Sequence, residues 1–362
     1  MSPGKSAEPG STLKYGRAIP ARRESRLSEP RVQVRLGRSL ALPTIQKTLE
    51  SVRILMTKPI RGVLPIAHTP FRDDDSIDFE SLRRQIDWAF ATGADGYATG
   101  MVSELLRLTF DERRELTEKL AEFADERGPF IAGVGAESTK QAIEYARIAE
   151  RAGARAVMAI PPLSSRPPAA AVLDYFAALA DSVSLPVVVQ DASGYVGQSI
   201  PLSVCVDLLK RYGNKKILFK PEASPIGTNL SALRDATGGE ARIFDGSGGI
   251  CLVDCFRRGI VGTMPGMEFL HGIVALWRAL ERRDEQATYG LYFPICALVA
   301  LQLQAGLDGF LAVEKYVLHK RGLFATDRRR QPQAWTLDQE TQNELDRLLK
   351  KLDEAVESAS AI

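Results

Sequence analysis

Lys215-Lys216-Ile217-Leu218-Phe219-Lys220-Pro221-Glu222 is the stretch on which the fold turns. Ile217, Leu218 and Phe219 make a short apolar strand, and a lysine stands at its end. An amine carried into a core gives up solvation, which favours its neutral form, and only a neutral amine attacks a carbonyl. Strand–helix repeat folds place their chemistry at the C-terminal ends of strands, so Lys220 is a candidate nucleophile. The plainer alternative is a surface lysine closing a strand, and the rest of the chain has to decide.

Outward from Lys220 the same unit recurs. Apolar runs occur at Gly62–Ala67, Gly96–Gly100, Phe130–Val134, Ala156–Ile160, Pro186–Gln190, Ile217–Lys220, Ala241–Phe244 and Ile260–Met264. Amphipathic segments lie between them. Asp78–Phe90 repeats apolar positions at Phe79, Leu82, Ile86 and Ala89. Thr109-Phe110-Asp111-Glu112 reads as a capping box, and Ser138 and Pro201 stand at other helix starts. Strands that are apolar throughout are buried on both faces, and alternation with helices forces parallel pairing. Eight such units predict an α/β fold, a (β/α)8 TIM barrel. The alternative, a doubly wound open sheet, lacks a GxGxxG after the first strand. After Asp284 the alternation stops, and Glu285–Gln304, Phe310–Arg321 and Leu337–Ser358 read as three helices. The first is apolar nearly all round and must therefore be buried. The expected organisation is a basic N-terminal extension of disordered composition (1–58), a barrel (59–283) and a C-terminal helical domain (284–362).

With 362 residues, 45% apolar and 25% charged, the chain can bury a large core. The longest apolar run, Phe293 to Leu303, is interrupted by Pro294 and Gln302, short of the ~18 residues a membrane span needs. Four scattered cysteines form neither a CxxC pair nor a disulfide framework, so a reduced, cytoplasmic protein is expected. Cys251 and Cys255 read as core packing rather than metal ligands. Residues 1–58 carry 12 Lys/Arg against 4 Asp/Glu; subtraction from 47 and 45 leaves 35 against 41 in the remainder. An acidic body argues against nucleic acid as the main partner. The basic head is partly like a targeting peptide, though an over-extended start with a true beginning at Met56 is the preferred reading.

Taken in order, the motifs resemble the dihydrodipicolinate synthase / N-acetylneuraminate lyase superfamily. Gly62-Val63-Leu64-Pro65-Ile66-Ala67-His68-Thr69-Pro70-Phe71 resembles its first-strand signature, and Ala132-Gly133-Val134-Gly135 its third-strand loop. Gly153–Met158 with Pro161-Pro162 is similar to its fourth strand, and Gly259–Met264 to its eighth. Lys220 falls where the superfamily has its Schiff-base lysine. The resemblance covers about residues 60–325 and implies a barrel with a helical appendage, dimeric or tetrameric, acting on 2-oxo acids without a cofactor.

The departures from that pattern carry information. Gly100-Met101-Val102-Ser103-Glu104 stands where the synthases and aldolases have Gly-Thr-Thr-Gly-Glu, and Gln190-Asp191 where they have Tyr-Asn. The interface tyrosine of the synthases maps to Ser164. Tyr195 lies where a substrate-binding arginine is usual, so it is not an obvious stand-in. The usual threonine–tyrosine proton relay is therefore not reproduced. The replacements are similar to those of the 2-keto-3-deoxy-L-arabonate dehydratase-like branch, apart from Ser193, Pro221 and the loop Ser164–Pro168.

A lysine iminium acidifies C3, and the resulting enamine can expel a C4 hydroxyl. Aldol cleavage instead needs a base at the C4 hydroxyl, the task of the missing tyrosine. The reading is a Schiff-base hydro-lyase of a short 2-keto-3-deoxy sugar acid. The alternatives are a pyruvate-dependent aldolase and a barrel that binds a 2-oxo acid without turnover. Lys220, Glu222, Gln190 and Asp191 form the expected catalytic set, Glu222 facing the same way as Lys220 by strand alternation. The substrate-binding set is Met101, Val102, Ser103, Glu104, Asp245 and Thr263, with Ser103 gripping the carboxylate and Glu104 also accepting loop amides. Gly246-Ser247-Gly248-Gly249 reads as a tight turn rather than a phosphate cradle, and Arg328-Arg329-Arg330 as a solvated loop. His68, His271 and His319 stand apart from one another and from any Cys or Glu at ligand spacing, so no metal is expected. The partners are a small 2-oxo acid and further copies of the chain, a homodimer or homotetramer, with no nucleic acid and no membrane.

Overall fold

The computed structural model describes residues 60–360. The basic extension and the start at Met56 lie outside the described residues. Eight parallel strands alternate with eight helices. The strands are β1 (Gly62–Val63), β2 (Tyr97–Ala98), β3 (Phe130–Gly133), β4 (Ala156–Ala159), β5 (Val187–Asp191), β6 (Ile217–Pro221), β7 (Phe244–Asp245) and β8 (Gly262–Thr263). The ladders run β1-β8-β7 and β2-β3-β4-β5-β6. Parallel bridges Ile66↔Ala98 and Phe219↔Ile243 join the two arcs at both seams, which closes the barrel. The β1 ladder is shorter than its apolar run because Pro65 has no N–H to donate; pairing resumes at Ile66.

Alternation along the strands sorts their residues. Leu64, Ile66, Ala98, Ile131, Met158, Val188, Leu218, Phe244 and Met264 fill the interior. Val187, Val189 and Phe219 point outward into the larger core beneath the helices. That parity fixes where every strand-end side chain faces.

The outer helices are α1 (Phe79–Thr92), α2 (Phe110–Ala124), α3 (Thr139–Ala152), α4 (Ala169–Ser182), α5 (Leu202–Tyr212), α6 (Ile226–Ala236), α7 (Leu252–Arg257) and α8 (Leu270–Arg282). The capping box at α2 is present: Glu112 N donates to Thr109 Oγ1 (3.3 Å) and Thr109 N to Glu112 Oε2 (2.8 Å). Ser138 caps α3, accepting from Gln141 N at 3.2 Å.

Three helices follow: α9 (Glu285–Gln302), α10 (Gly306–Lys320) and α11 (Gln339–Ser360). Leu291, Ile295, Leu298 and Val299 of α9 join the same apolar core as the barrel helices, while Phe293 is 65% exposed. Taken as one stretch, Glu285–Lys320 is long and apolar enough to cross a membrane by length and composition, an 18-residue window within it reaching a mean hydropathy of 1.6. The sequence estimate that no run reaches that length is corrected on this point. Half of the window is buried inside the fold.

Candidate active site

Leu218 is interior, so Lys220 two residues on faces the interior as well, and Glu222 repeats the direction beyond the strand. Val188 does the same for Gln190 on the neighbouring strand β5. The three side chains meet at the C-terminal mouth of the barrel. Lys220 Nζ stands 3.3 Å from Glu222 Oε1, and Gln190 Nε2 donates to Glu222 Oε2 at 2.6 Å. All three are buried. Burial holds the Glu222 carboxyl above the usual carboxylate range, against the opposing pull of Lys220 and Gln190. A carboxyl so placed holds a proton more readily than a solvated one, which suits it to proton transfer.

These groups line one pocket together with Met101, Val102, Tyr195, Gly246, Phe310 and Glu314. Water-molecule centres have about 40 Å³ there, room for about three waters at ~10–15 Å³ each, the scale of a three-carbon acid. Gly246 packs against both side chains: a Cβ there would lie 2.6 Å from Lys220 Cε and 2.6 Å from Glu222 Cγ. Gly248 and Gly249 make the turn itself, with φ of 69° and 111°.

The loop after β2 coils into a short 3₁₀ turn, Met101–Ser103. Among the described residues, the amides of Met101 and Val102 donate to no protein acceptor, and both residues line the pocket. Ser103 is different. Its hydroxyl donates to Ala67 O and accepts from Gly100 N at 3.0 Å, so it is committed to the backbone. Glu104 sits behind the loop: it pairs with Lys315 of α10 at 2.9 Å and accepts from Arg330 N at 2.9 Å.

Three further expected residues face away from the pocket. Asp191 follows the inward Gln190 and therefore points outward, where it accepts from Ser193 N (3.0 Å) and Ile200 N (2.8 Å). Asp245 follows the interior Phe244 and points outward too, accepting from Ser247 N at 3.2 Å. Thr263 precedes the interior Met264, and its hydroxyl donates to Asp245 Oδ2 at 3.0 Å. These three residues hold the rim rather than line the pocket. The Arg328–Arg330 run is also not a solvated loop: Arg329 is buried, and Arg330 pairs with Glu112 at 2.8 Å and lies over the Phe71 ring.

Two residues enter that the sequence reading had set aside or missed. Tyr195 lines the pocket, its ring edge-on to Phe310 at 5.4 Å. Burial, and then the neighbouring carboxylates Glu222, Asp245 and Glu314, push its phenol upward, which suits it to donate a hydrogen bond rather than to act as a base. Glu314 reaches the pocket from α10. Its Oε2 stands 2.7 Å from His68 Nε2, and Glu268 completes a buried cluster whose ligand-type atoms all lie within 4.8 Å of one another. His68 is thus not isolated from carboxylates, and these three could hold a metal ion.

The chain matches the dihydrodipicolinate synthetase family over residues 59–352. It belongs to that family and is a lyase of its kind. It is 29% identical over 306 residues, 82% of this chain and 96% of the relative, to an L-2-keto-3-deoxyarabonate dehydratase from Azospirillum brasilense. It is 33% identical over 177 residues, 49% of this chain and 60% of the relative, to a 4-hydroxy-tetrahydrodipicolinate synthase from Methanococcus vannielii. Among solved structures, the 4-hydroxy-tetrahydrodipicolinate synthase of Methylacidiphilum fumariolicum superposes with a TM-score of 0.75 at 25% identity, over 84% of this chain and 99% of that one.

Proposed function

We propose that the protein is a Schiff-base hydro-lyase of a short 2-keto-3-deoxy sugar acid. The meeting of Lys220, Glu222 and Gln190 in one buried pocket carries the reading. The near full-length likeness to a keto-deoxy sugar acid dehydratase supports water loss over carbon–carbon cleavage.

In this reading the substrate carboxylate takes the two free amides of Met101 and Val102. Lys220 adds to C2 after giving a proton to Glu222, and loss of the C2 oxygen as water leaves the iminium. Glu222, again a carboxylate, removes a C3 proton, and the enamine electrons expel the C4 hydroxyl, which needs a proton to leave as water. Hydrolysis of the unsaturated iminium frees Lys220. Gln190 holds the Glu222 carboxyl in place.

Borohydride treatment with pyruvate and with L-2-keto-3-deoxyarabonate, read by intact mass, tests the first step. A reduced adduct on wild type that is absent from Lys220→Ala is expected; no adduct with either acid would favour a barrel that binds without turnover. The alternative, a carbon–carbon lyase, would need a group other than the neutral Tyr195 phenol to take the C4 hydroxyl proton. Pyruvate released from a hydroxylated 2-oxo acid would decide for it. A cytoplasmic homo-oligomer fits the four free cysteines and the exposed Phe293 beside Tyr289, 5.7 Å between ring centroids. A monomeric mass in solution scattering would contradict the assembly.

A further inference from the structure

The charge count around the pocket does not close. Five carboxyl groups, Glu104, Glu222, Asp245, Glu268 and Glu314, are buried to 5% exposure or less, against two equally buried ammonium groups, Lys220 and Lys315. Asp245 is held by the Thr263 hydroxyl and the Ser247 amide, and Glu104 has Arg107 at 3.6 Å as well. Lys315 is taken by Glu104 at 2.9 Å, and Lys220 by Glu222 at 3.3 Å. Glu314 and Glu268 are left without a cation of their own. His68 Nε2 stands 2.7 Å from Glu314 Oε2 but is not aligned as a hydrogen bond. Glu268 Oε1 accepts from Gln302 Nε2 at 2.8 Å, while Glu268 Oε2 has no partner. Both carboxyls crowd Gly266, a lining residue of the pocket: a Cβ there would run into Glu268 Oε2 and lie 2.9 Å from Glu314 Oε1. Two uncompensated carboxylates cannot both stay ionised in such a place, so the cluster keeps a proton.

We propose that Glu314 is the acid that protonates the departing C4 hydroxyl, with Glu268 and His68 as positioning residues that keep it supplied. The proposal rests on the dehydratase reading above and names the acid that reading leaves open. Glu314 is the carboxyl of the cluster that lines the pocket with Lys220. It arrives from α10, whereas Glu222 follows β6, so acid and base are separate groups on separate elements. The balance closes: Glu222 takes the C3 proton, the C3 electron pair becomes the C3–C4 double bond, and the C4–O bond breaks. The oxygen leaves as water with the Glu314 proton. Glu222 then releases its proton through water in the pocket, and the cluster is recharged.

Several charged groups face Glu314. Lys315 and Lys220 favour its ionised form, Glu104 opposes it, and burial outweighs all three, holding it well above the usual carboxylate range. His68 faces it as a neutral ring, its basicity lowered to about 4 by burial. The unpartnered Glu268 Oε2, crowded with Glu314 Oε1 against Gly266, is the group from which a proton returns to Glu314, and burial and Glu314 itself raise Glu268 in the same sense.

The test compares two rates on one enzyme. Exchange of the pyruvate methyl protons with D2O, followed by NMR, needs Lys220 and a base but no acid for a leaving group. Loss of water from L-2-keto-3-deoxyarabonate and a panel of other 4-hydroxy-2-oxo acids needs both. In Glu314→Gln the elimination should fall about 100-fold or more relative to exchange, the usual scale for a lost general acid, and Glu314→Asp should recover part of it. Glu268→Gln should move the alkaline limb of the elimination profile while leaving the exchange profile in place. A Glu314→Gln enzyme whose two rates fall together overturns the proposal. So does wild type that exchanges pyruvate but dehydrates none of the panel, or elimination that EDTA abolishes and a divalent cation restores, which would make the cluster a metal site. If wild type neither traps nor exchanges pyruvate, the lysine reading fails first. A borohydride adduct on Glu314→Gln attests that the variant has folded.

Discussion

Gly246→Ala is the substitution that isolates the geometry of the pocket from its chemistry. Gly246 is absent from the positive-φ positions, so alanine meets no backbone penalty there. What it meets is the pair of reacting groups: 2.6 Å to Lys220 Cε, 2.6 Å to Glu222 Cγ and 2.7 Å to Glu222 Cδ. Carbon atoms settle at ~3.5–4.0 Å, so one methyl demands about 1 Å of movement. Neither neighbour has room to give, because both side chains are buried and tied to each other. Overpacking of this kind costs about 1–3 kcal/mol of stability. A displacement of about 1 Å at reacting atoms costs on the order of 100-fold in rate. Pyruvate methyl exchange by NMR measures the rate and urea unfolding the stability. Gly290→Ala, which meets nothing within 4 Å, is the control. If Gly246→Ala exchanges within about threefold of wild type, Lys220 and Glu222 are not held at the positions on which the mechanism depends.

Glu104→Ala strands the Lys315 ammonium in the core with the Thr69 and Arg328 carbonyls for company; a loss of about 3–5 kcal/mol is expected, largely recovered in Glu104→Gln/Lys315→Met, and a loss below about 1 kcal/mol would mean the pair behaves as a solvated one. Asp191→Ala should retain the borohydride adduct that Lys220→Ala loses, because its carboxylate serves two loop amides; loss of the adduct would put Asp191 in the chemistry after all. Stability should respond to pH through several buried groups, two of which pull in opposite directions within one cluster. Glu268, raised from 4.5 to about 7, binds a proton in the folded chain that the unfolded chain has lost, so its contribution is full below 4.5 and declines as pH rises through 7. His68, lowered from 6.5 to about 4, stays neutral in the fold, so its contribution grows as pH rises from 4 to 6.5. Each is worth on the order of 3 kcal/mol. Between pH 4.5 and 6.5 the urea midpoint of Glu268→Gln should rise relative to wild type, because the variant lacks the group whose contribution declines there; parallel curves would refute the assignment.

The barrel and its lysine were legible because strand parity and strand–helix alternation are local properties. Leu218, Lys220 and Glu222 sit at spacing two, and Val188 and Gln190 repeat it next door, so their convergence follows from sequence once the strands are placed. The same rule, applied strictly, would have turned Asp191, Asp245 and Thr263 away. Each stands one residue from an interior side chain, and a carboxylate at a strand end was not enough to place it inside. Tyr195 was placed by the resemblance at a substrate-binding position but set aside as a stand-in. Tyr195, Glu268 and Glu314 could not be tied to Lys220 for another reason. They come from a loop, from the segment after β8 and from α10, and no period in the sequence ties those segments to Lys220. An acidic residue in the middle of the otherwise buried run Phe310–Leu318 was the available signal for Glu314, since charged residues are rarely fully buried without a partner or a task.

The appendage is therefore part of the site rather than a bracket on the barrel. α10 supplies Phe310 and Glu314 to the pocket, and its Lys315 fixes the β2 loop whose free amides line the other wall. One helix thus bears on both the proposed acid and the loop proposed to take the substrate carboxylate. Adjacent residues Glu314 and Lys315 point to opposite duties: the cation stabilises a structural carboxylate, Glu104, and leaves Glu314 without a cation of its own. Shifting Lys315 to serve Glu314 would ionise that carboxyl and release Glu104, so the same exchange would remove the acid and loosen the loop. A lysine-centred barrel that has given up its tyrosines needs a proton held out of water beside the substrate, and a carboxyl denied its neighbouring ammonium is a direct way to hold one.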